Sequence, residues 1–368
     1  MADQSFRGML ERLAGWGDLH TVEREVDPRF ELGAVLSLRQ HDEPQLFAQV
    51  AGHSMKVVGN LMNSRERIAR LLDTDRAGLP GRILAALGRQ IPPVLVETAP
   101  AQEVVHQAPA VLLGSQMYLG LGDDEYDVVG GLLGEPLQLV RCLTVPLEVP
   151  AGAEIVLEGV IDADDLVTEG PVSEFHGFYV TYGPGTGGTI SCVTHRRGAV
   201  YQAILSGYAP EHCLLGAIAI EAVCCAALKR VIPAVRRVVV TEGGMGRLHA
   251  VIVMHRPRLG EGKRAAILAM GQINLFKLVI VVEDDIDPQN PAEVEWSLAA
   301  RFRGDEDLIV LPGVKADRCD PVHEKLTVAK IAMIATTRPG DGEQGSRSEF
   351  ARAPAAILAR VRAELGEY

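Results

Sequence analysis

A chain of 368 residues, 47% of them hydrophobic, is longer than one compact core needs, so two or three domains are expected. Its formal net charge is −12, with Lys and Arg dispersed rather than gathered into a stripe, which argues against nucleic-acid and anionic-membrane partners and favours a small-molecule substrate. Residues 1–11 hold no apolar signal core, no uninterrupted apolar run of bilayer length is read, and the six cysteines show no C-x-x-C spacing, so the expectation is a cytoplasmic protein without a zinc site or disulfide framework.

In chain order, residues 6–13 read as a short amphipathic helix, 19–26 as an extended segment, Leu32 as the opening of a helix and 55–58 as a strand. Ser64 ahead of Arg65, Glu66 and an apolar-periodic stretch to Leu72 predicts an N-capped helix. Pro92, Pro93 and Pro100 around Val94, Leu95 and Val96 fit an edge strand. The pattern then changes to β-branched runs with short turns, predicting strands over 137–140, 143–149, 154–161, 189–194 and 199–205. From Glu211 helices and strands alternate: helix 214–228, strands 237–240 and 250–254, helix 264–272, strand 278–282, helix 292–302 and strand 308–311. Such alternation implies a largely parallel sheet covered on both faces. Residues 339–348 read as a loop, and helix signals resume from Glu349, with Pro354 starting the regular part. The expected fold class is therefore α/β, α+β overall, in three domains: an N-terminal α/β domain over 1–105, a β-rich middle domain over 106–208 and a C-terminal α/β domain over 209–368.

Two glycine runs, GPGTGG (183–188) and GGMG (243–246), invite a phosphate reading, but neither ends in G-K-S/T nor fits G-x-G-x-x-G between strand and helix, so turns are the plainer reading. The segment EGPVSEFHGFY (169–179) is more informative. Residues five apart in a regular strand face opposite sides, whereas Gly170 and Pro171 force a turn that can bring Glu169 and Glu174 to one site. Neighbouring carboxylates split their pKa values, leaving one group ionised and one available as a general acid; the alternative is two solvated acids on a turn. The acidic run DDEYD (123–127) can offer oxygen ligands to a hard cation or simply be solvated. His176, His195 and His212 have no nucleophile context and read as structural or surface residues.

Several segments carry a resemblance: DEYD (124–127) leading to GLLGEP (131–136), LEVP (147–150) with AEIVLEG (153–159), EGP (169–171) with Glu174, and VVEDDID (281–287) with VEW (294–296) and Arg301. As a set they resemble the UbiD family, whose members reversibly decarboxylate aromatic or α,β-unsaturated carboxylic acids with prenylated FMN and a divalent cation. The resemblance implies that Glu125 is a metal ligand, that Glu169 is the glutamate that pairs with an active-site arginine, and that Glu174 is the proton donor and acceptor. It implies that Lys330, in LTVAK (326–330), lies near the cofactor. Prenylated FMN and Mn2+, with K+ as a further cation, are the implied cofactors. The middle domain is implied to be split-barrel-like and to hold flavin and substrate, and the C-terminal domain to mediate a homodimer or higher oligomer.

One departure accompanies the match. Between VVH (104–106) and APAVLLG (108–114) the family ordinarily carries a block with an Asn metal ligand, a catalytic Arg and an active-site His, and this sequence has none. The family's DATKP-like segment reads IATTRP (334–339). A barrel shortened in this way should expose apolar edges unless a partner covers them. Three functions follow as expectations: a UbiD-type decarboxylase; a non-catalytic subunit forming a hetero-oligomer with a complete UbiD-like homologue; and a cofactor-independent acid–base enzyme that reuses Glu169 and Glu174.

Overall fold

The computed structural model describes residues 6–97, 110–111, 113, 115–117, 119, 122–337 and 353–367. The junction at 104–108 and the loop at 339–348 lie outside the described residues.

The N-terminal part runs α1 (Phe6–Gly15), β1 (His20–Val22), α2 (Glu31–Leu38), β2 (Gln45–Phe47), β3 (Lys56–Gly59), α3 (Arg65–Leu71) and α4 (Leu79–Gly88). Ser64 caps α3 as expected, its hydroxyl accepting from the Arg67 amide at 3.4 Å. Helix α4, with Pro80 in its first turn, was not anticipated.

The middle part holds β4 (Val94–Leu95), α5 (Glu125–Leu133), β5 (Gln138–Arg141), β6 (Glu148–Pro150), β7 (Ile155–Glu169), β8 (Val172–Ser173), β9 (Tyr179–Val180), β10 (Gly183–His195) and β11 (Val200–Ala203). Three features differ from the sequence expectation. Residues 143–147 turn instead of extending, because the buried Glu158 carboxylate accepts from the amides of Leu143 at 2.9 Å and Thr144 at 2.6 Å and from the Thr144 hydroxyl. The glycine run 183–188 is strand, its residues laddered antiparallel to β7 from Gly183 opposite Glu169 onward. Strand β11 leaves the middle part and pairs in parallel with β3, completing a sheet of order β1-β2-β3-β11. Helix α5 starts at an Asp124 cap and lies close against the end of α4, where a Cβ on Gly130 would run into the carbonyl oxygen of Ile91 and one on Gly131 into that of Ala86.

The C-terminal part contains α6 (Pro210–Lys229), β12 (Val235–Val240), β13 (His249–Met254), α7 (Glu261–Gln272), β14 (Leu278–Glu283), α8 (Pro291–Arg301), β15 (Leu308–Lys315), β16 (Thr327–Ala335) and α9 (Ala355–Ala363). Its sheet has the order β12-β13-β14-β16-β15, with β13, β14 and β16 parallel and the two outer strands antiparallel. Strand β16, missed in the sequence, sits inside the sheet because its alternate residues Lys330, Ala332 and Ile334 are buried.

Helix α6 joins the two halves. Leu214, Leu215, Ile218 and Ala222 pack into the core formed with α1, α3, α4 and α5, while Ile220, Cys224 and Leu228 pack into the core of the C-terminal sheet. Burial on two sides explains why α6 is apolar nearly all round, and long and apolar enough by composition to cross a bilayer although its sides face protein.

Two buried carboxylates of α6 tie it to the N-terminal part. Glu221 takes both arms of Arg65 at 2.7 and 2.8 Å and the Val240 amide at 2.8 Å. Glu211 accepts from the amides of Asn60 at 3.0 Å and Met62 at 2.9 Å, and burial pushes its pKa up to about 7 against those donors. Between the ordinary carboxylate value and about 7 the folded chain thus holds a proton that the unfolded chain has lost, so stability falls as pH rises through that window, by roughly 3 kcal/mol. Urea unfolding at pH 5 and pH 8 is expected to show this loss in the natural chain and a flatter profile in Glu211→Gln; equal slopes would contradict it.

Candidate active site

Between β7 and β10 the chain folds back as the small hairpin β8–β9, Val172 opposite Val180 and Ser173 opposite Tyr179. The hairpin turn is held by the Glu174 amide donating to the Phe178 carbonyl at 3.1 Å and the Gly177 amide to the Glu174 carbonyl at 2.8 Å. Gly177 has φ 82°, a conformation that glycine adopts without strain. Phe175 and His176 are buried beneath the turn, and this anchorage presents Glu174 half-buried at its start.

The Glu174 carboxylate is held on both oxygens. The Tyr182 hydroxyl donates to Oε1 at 2.5 Å, and the Phe175 amide donates to Oε2 at 3.2 Å. The hydroxyl's single proton goes to the carboxylate, so the Cys319 thiol, 3.2 Å away, acts as donor to the phenol oxygen. The Arg318 guanidinium lies over the Tyr182 ring at 4.3 Å. Burial, and then the hydrogen bond that the phenol donates to Glu174, push the Tyr182 phenol upward, and burial raises the Cys319 thiol, so both keep their protons at neutral pH.

Two imidazoles complete the surroundings. Burial lowers the pKa of His176, whose Nδ1 accepts from the Phe178 amide at 3.1 Å and whose Nε2 finds no partner among the described residues. In the first turn of α6, His212 is lowered by burial and then by Arg247, and its Nδ1 accepts from the Gly207 amide at 3.2 Å. The site thus gathers one carboxylate, a phenol, a thiol and two imidazoles biased towards neutrality from three regions: the β8–β9 hairpin with the turn that follows it, the start of α6 and the β15–β16 loop.

The other residues singled out by the sequence lie elsewhere. Glu169 is exposed at the end of β7 and packs over Gly185, and it shares no hydrogen-bond partner with Glu174 among the described residues. Glu125 is exposed in the first turn of α5. Lys330 is buried on β16, with its ammonium donating to the carbonyls of Met270 at 3.2 Å and Asn274 at 2.7 Å, so it closes the C-terminal end of α7. Among the described residues no group of three or more His, Cys, Asp or Glu could hold a metal ion. Glu125 therefore has no pair of further His, Cys, Asp or Glu ligands beside it among the described residues, and the glycine run of β10, laddered to β7, does not fit a phosphate loop. Sequence reasoning missed Tyr182, Cys319 and His212 as neighbours of Glu174. The hairpin spacing between Glu174 and Tyr182 was a usable signal, whereas nothing local pointed to Cys319.

Models of the 3-octaprenyl-4-hydroxybenzoate carboxy-lyase N-terminal domain, Rift-related domain and C-terminal domain match residues 10–87, 89–209 and 213–335. An anhydromevalonate phosphate decarboxylase from Methanothermobacter thermautotrophicus is 34% identical over 65% of this chain, and the match spans 56% of that protein's length. The UbiD-class enzyme HmfF from Pelotomaculum thermopropionicum, in complex with FMN, superposes with a TM-score of 0.87 at 30% identity, covering 97% of this chain and 100% of that one. An evolved dimeric form of HmfF in complex with prenylated FMN gives 0.84 at 28% identity, covering 100% of both chains. With three consecutive domain models matched in order and this fold beneath them, the chain belongs to the UbiD family of carboxy-lyases.

Proposed function

We propose that this chain is a UbiD-type decarboxylase of an aromatic or α,β-unsaturated carboxylic acid, acting in the cytoplasm, with Glu174 as the proton donor. The observation that carries the reading is the half-buried Glu174 carboxylate, fixed by Tyr182 and the Phe175 amide where three regions of the chain meet. When the carbon–carbon bond to the carboxylate breaks, CO2 leaves and the electron pair stays on carbon; protonated Glu174 gives that carbon its proton and is reprotonated from solvent. The Tyr182 hydroxyl steadies the carboxylate once its proton has gone, because a hydrogen bond to the charged form favours it. Accepting the bond's electrons is work for a cofactor rather than a side chain, and the flavin named with HmfF supports prenylated FMN in that part.

Tyr182→Phe removes a hydrogen bond to a carboxylate worth on the order of 1.5 kcal/mol and is expected to lower turnover about tenfold. Unchanged turnover in steady-state assays would show that Glu174 needs no help from the phenol.

A second reading, a non-catalytic subunit covered by a complete UbiD-like homologue, is favoured by the β7–β10 ribbon. This two-stranded sheet is joined to no further strand among the described residues, and Leu157, Ile161, Ile190 and Val193 on one face are 61%, 74%, 56% and 56% exposed. An apolar ribbon of this kind needs cover. Absorbance and native mass spectra of the chain co-expressed with a flavin prenyltransferase separate the readings: bound prenylated flavin supports the first, and a colourless chain carrying a co-purified UbiD-like subunit supports the second.

A further inference from the structure

The face of the C-terminal sheet opposite α6 and α7 is covered by α8, and the cover is incomplete. A cavity of about 410 Å3 opens there towards α3, with Val239, Val251, Ile280, Val294 and Leu298 as its apolar walls. That volume suits a small organic ligand.

The charged groups around the cavity are Arg65, Arg76, Glu242 and Glu295. Both arginines are already engaged. Arg65 is held by Glu221 and the Val240 carbonyl, and Arg76 donates to Glu66 at 2.6 Å and to the Gln289 side-chain oxygen at 2.5 Å. Glu242 and Glu295 are exposed, and their carboxylates have no hydrogen bond from the described residues. With the two lining arginines counted against their own carboxylates, the charge left among the lining residues is negative. His249 lines the wall with Nδ1 3.1 Å from the Thr241 hydroxyl and an Nε2 that has no partner among the described residues. Burial lowers its pKa to about 4, so it adds no positive charge at neutral pH.

We propose that this cavity binds a small apolar molecule carrying a protonated amine, its alkyl or aryl body on the Val, Ile and Leu walls and its ammonium at the rim with Glu242 and Glu295. A carboxylate ligand is disfavoured there, because the available charges are carboxylates and the arginines are occupied. The site shares no residue with the Glu174 site and does not depend on the decarboxylase reading.

Isothermal titration of the full chain with three probes of matched shape, 4-phenylbutylamine, 4-phenylbutanol and 4-phenylbutyrate, tests the proposal. An exposed ion pair is worth a few-fold in affinity, so two give the amine roughly a tenfold preference over the alcohol at low salt, with the acid weakest. The preference is expected to shrink at about 0.5 M salt and to vanish in Glu242→Gln/Glu295→Gln, whose exposed substitutions leave the core untouched. Leu298→Trp, which fills the cavity, is expected to remove binding of both amine and alcohol. Equal affinity for amine and alcohol, an amine preference that survives the double substitution, or no binding of the amine at millimolar concentration would each overturn the proposal.

Discussion

Glu174→Gln is expected to lower turnover by about 10²–10⁴-fold while leaving the melting temperature unchanged. Gln has nearly the shape of Glu, and its side-chain oxygen still accepts from the Tyr182 hydroxyl. What disappears is the transferable proton. The loss therefore falls on protonation of the carbon, and substrate binding and fold are spared. A loss much larger than that of Tyr182→Phe would separate a group that transfers the proton from one that positions it. Retained turnover in Glu174→Gln, measured on protein carrying flavin, would remove Glu174 from the chemistry.

The largest expected effect on stability comes from Glu221→Ala. Arg65 and Glu221 form a two-armed pair whose side chains are 8% and 7% exposed, linking α3 to α6 across the joint between the two cores. Removing the carboxylate leaves a buried guanidinium without its counter-charge and the Val240 amide without its acceptor. Breaking one side of such a pair costs about 3–5 kcal/mol, because the surviving charge is desolvated and uncompensated. Replacing both partners, as Arg65→Met with Glu221→Met, is expected to recover most of that loss, since no buried charge remains. Urea midpoints of the two variants check this. A Glu221→Ala chain within about 1 kcal/mol of the natural one would show that water reaches Arg65.

The fold was legible wherever the signal is local. Ser64 caps α3, the apolar runs of β12, β13 and β14 are strands, the helix expected over 292–302 is α8, and Pro354 stands at the start of α9. It was not legible where a distant partner decides. Residues 143–147 turn because Glu158 reaches them, the glycine run 183–188 extends because β7 pairs with it, and β11 crosses to a sheet built more than a hundred residues earlier. The same division holds at the site. Glu174 stands out from its own segment, and Tyr182 eight residues on follows from the hairpin. Cys319 and Arg318 approach from the β15–β16 loop with no local sign. Lys330 and Glu125, taken from resemblance, lie against the carbonyls at the end of α7 and on an exposed helix start, respectively. Those surroundings come from tertiary packing, which a motif does not encode.

The most direct measurement is CO2 release by the purified chain, after co-expression with a flavin prenyltransferase, from a panel of aromatic and α,β-unsaturated acids. The decarboxylase reading predicts stoichiometric CO2 and the decarboxylated product from at least one member, slowed about 10²–10⁴-fold in Glu174→Gln. Flavin-loaded protein that releases no CO2 from any of them, alone or with added UbiD-like subunit, would contradict it.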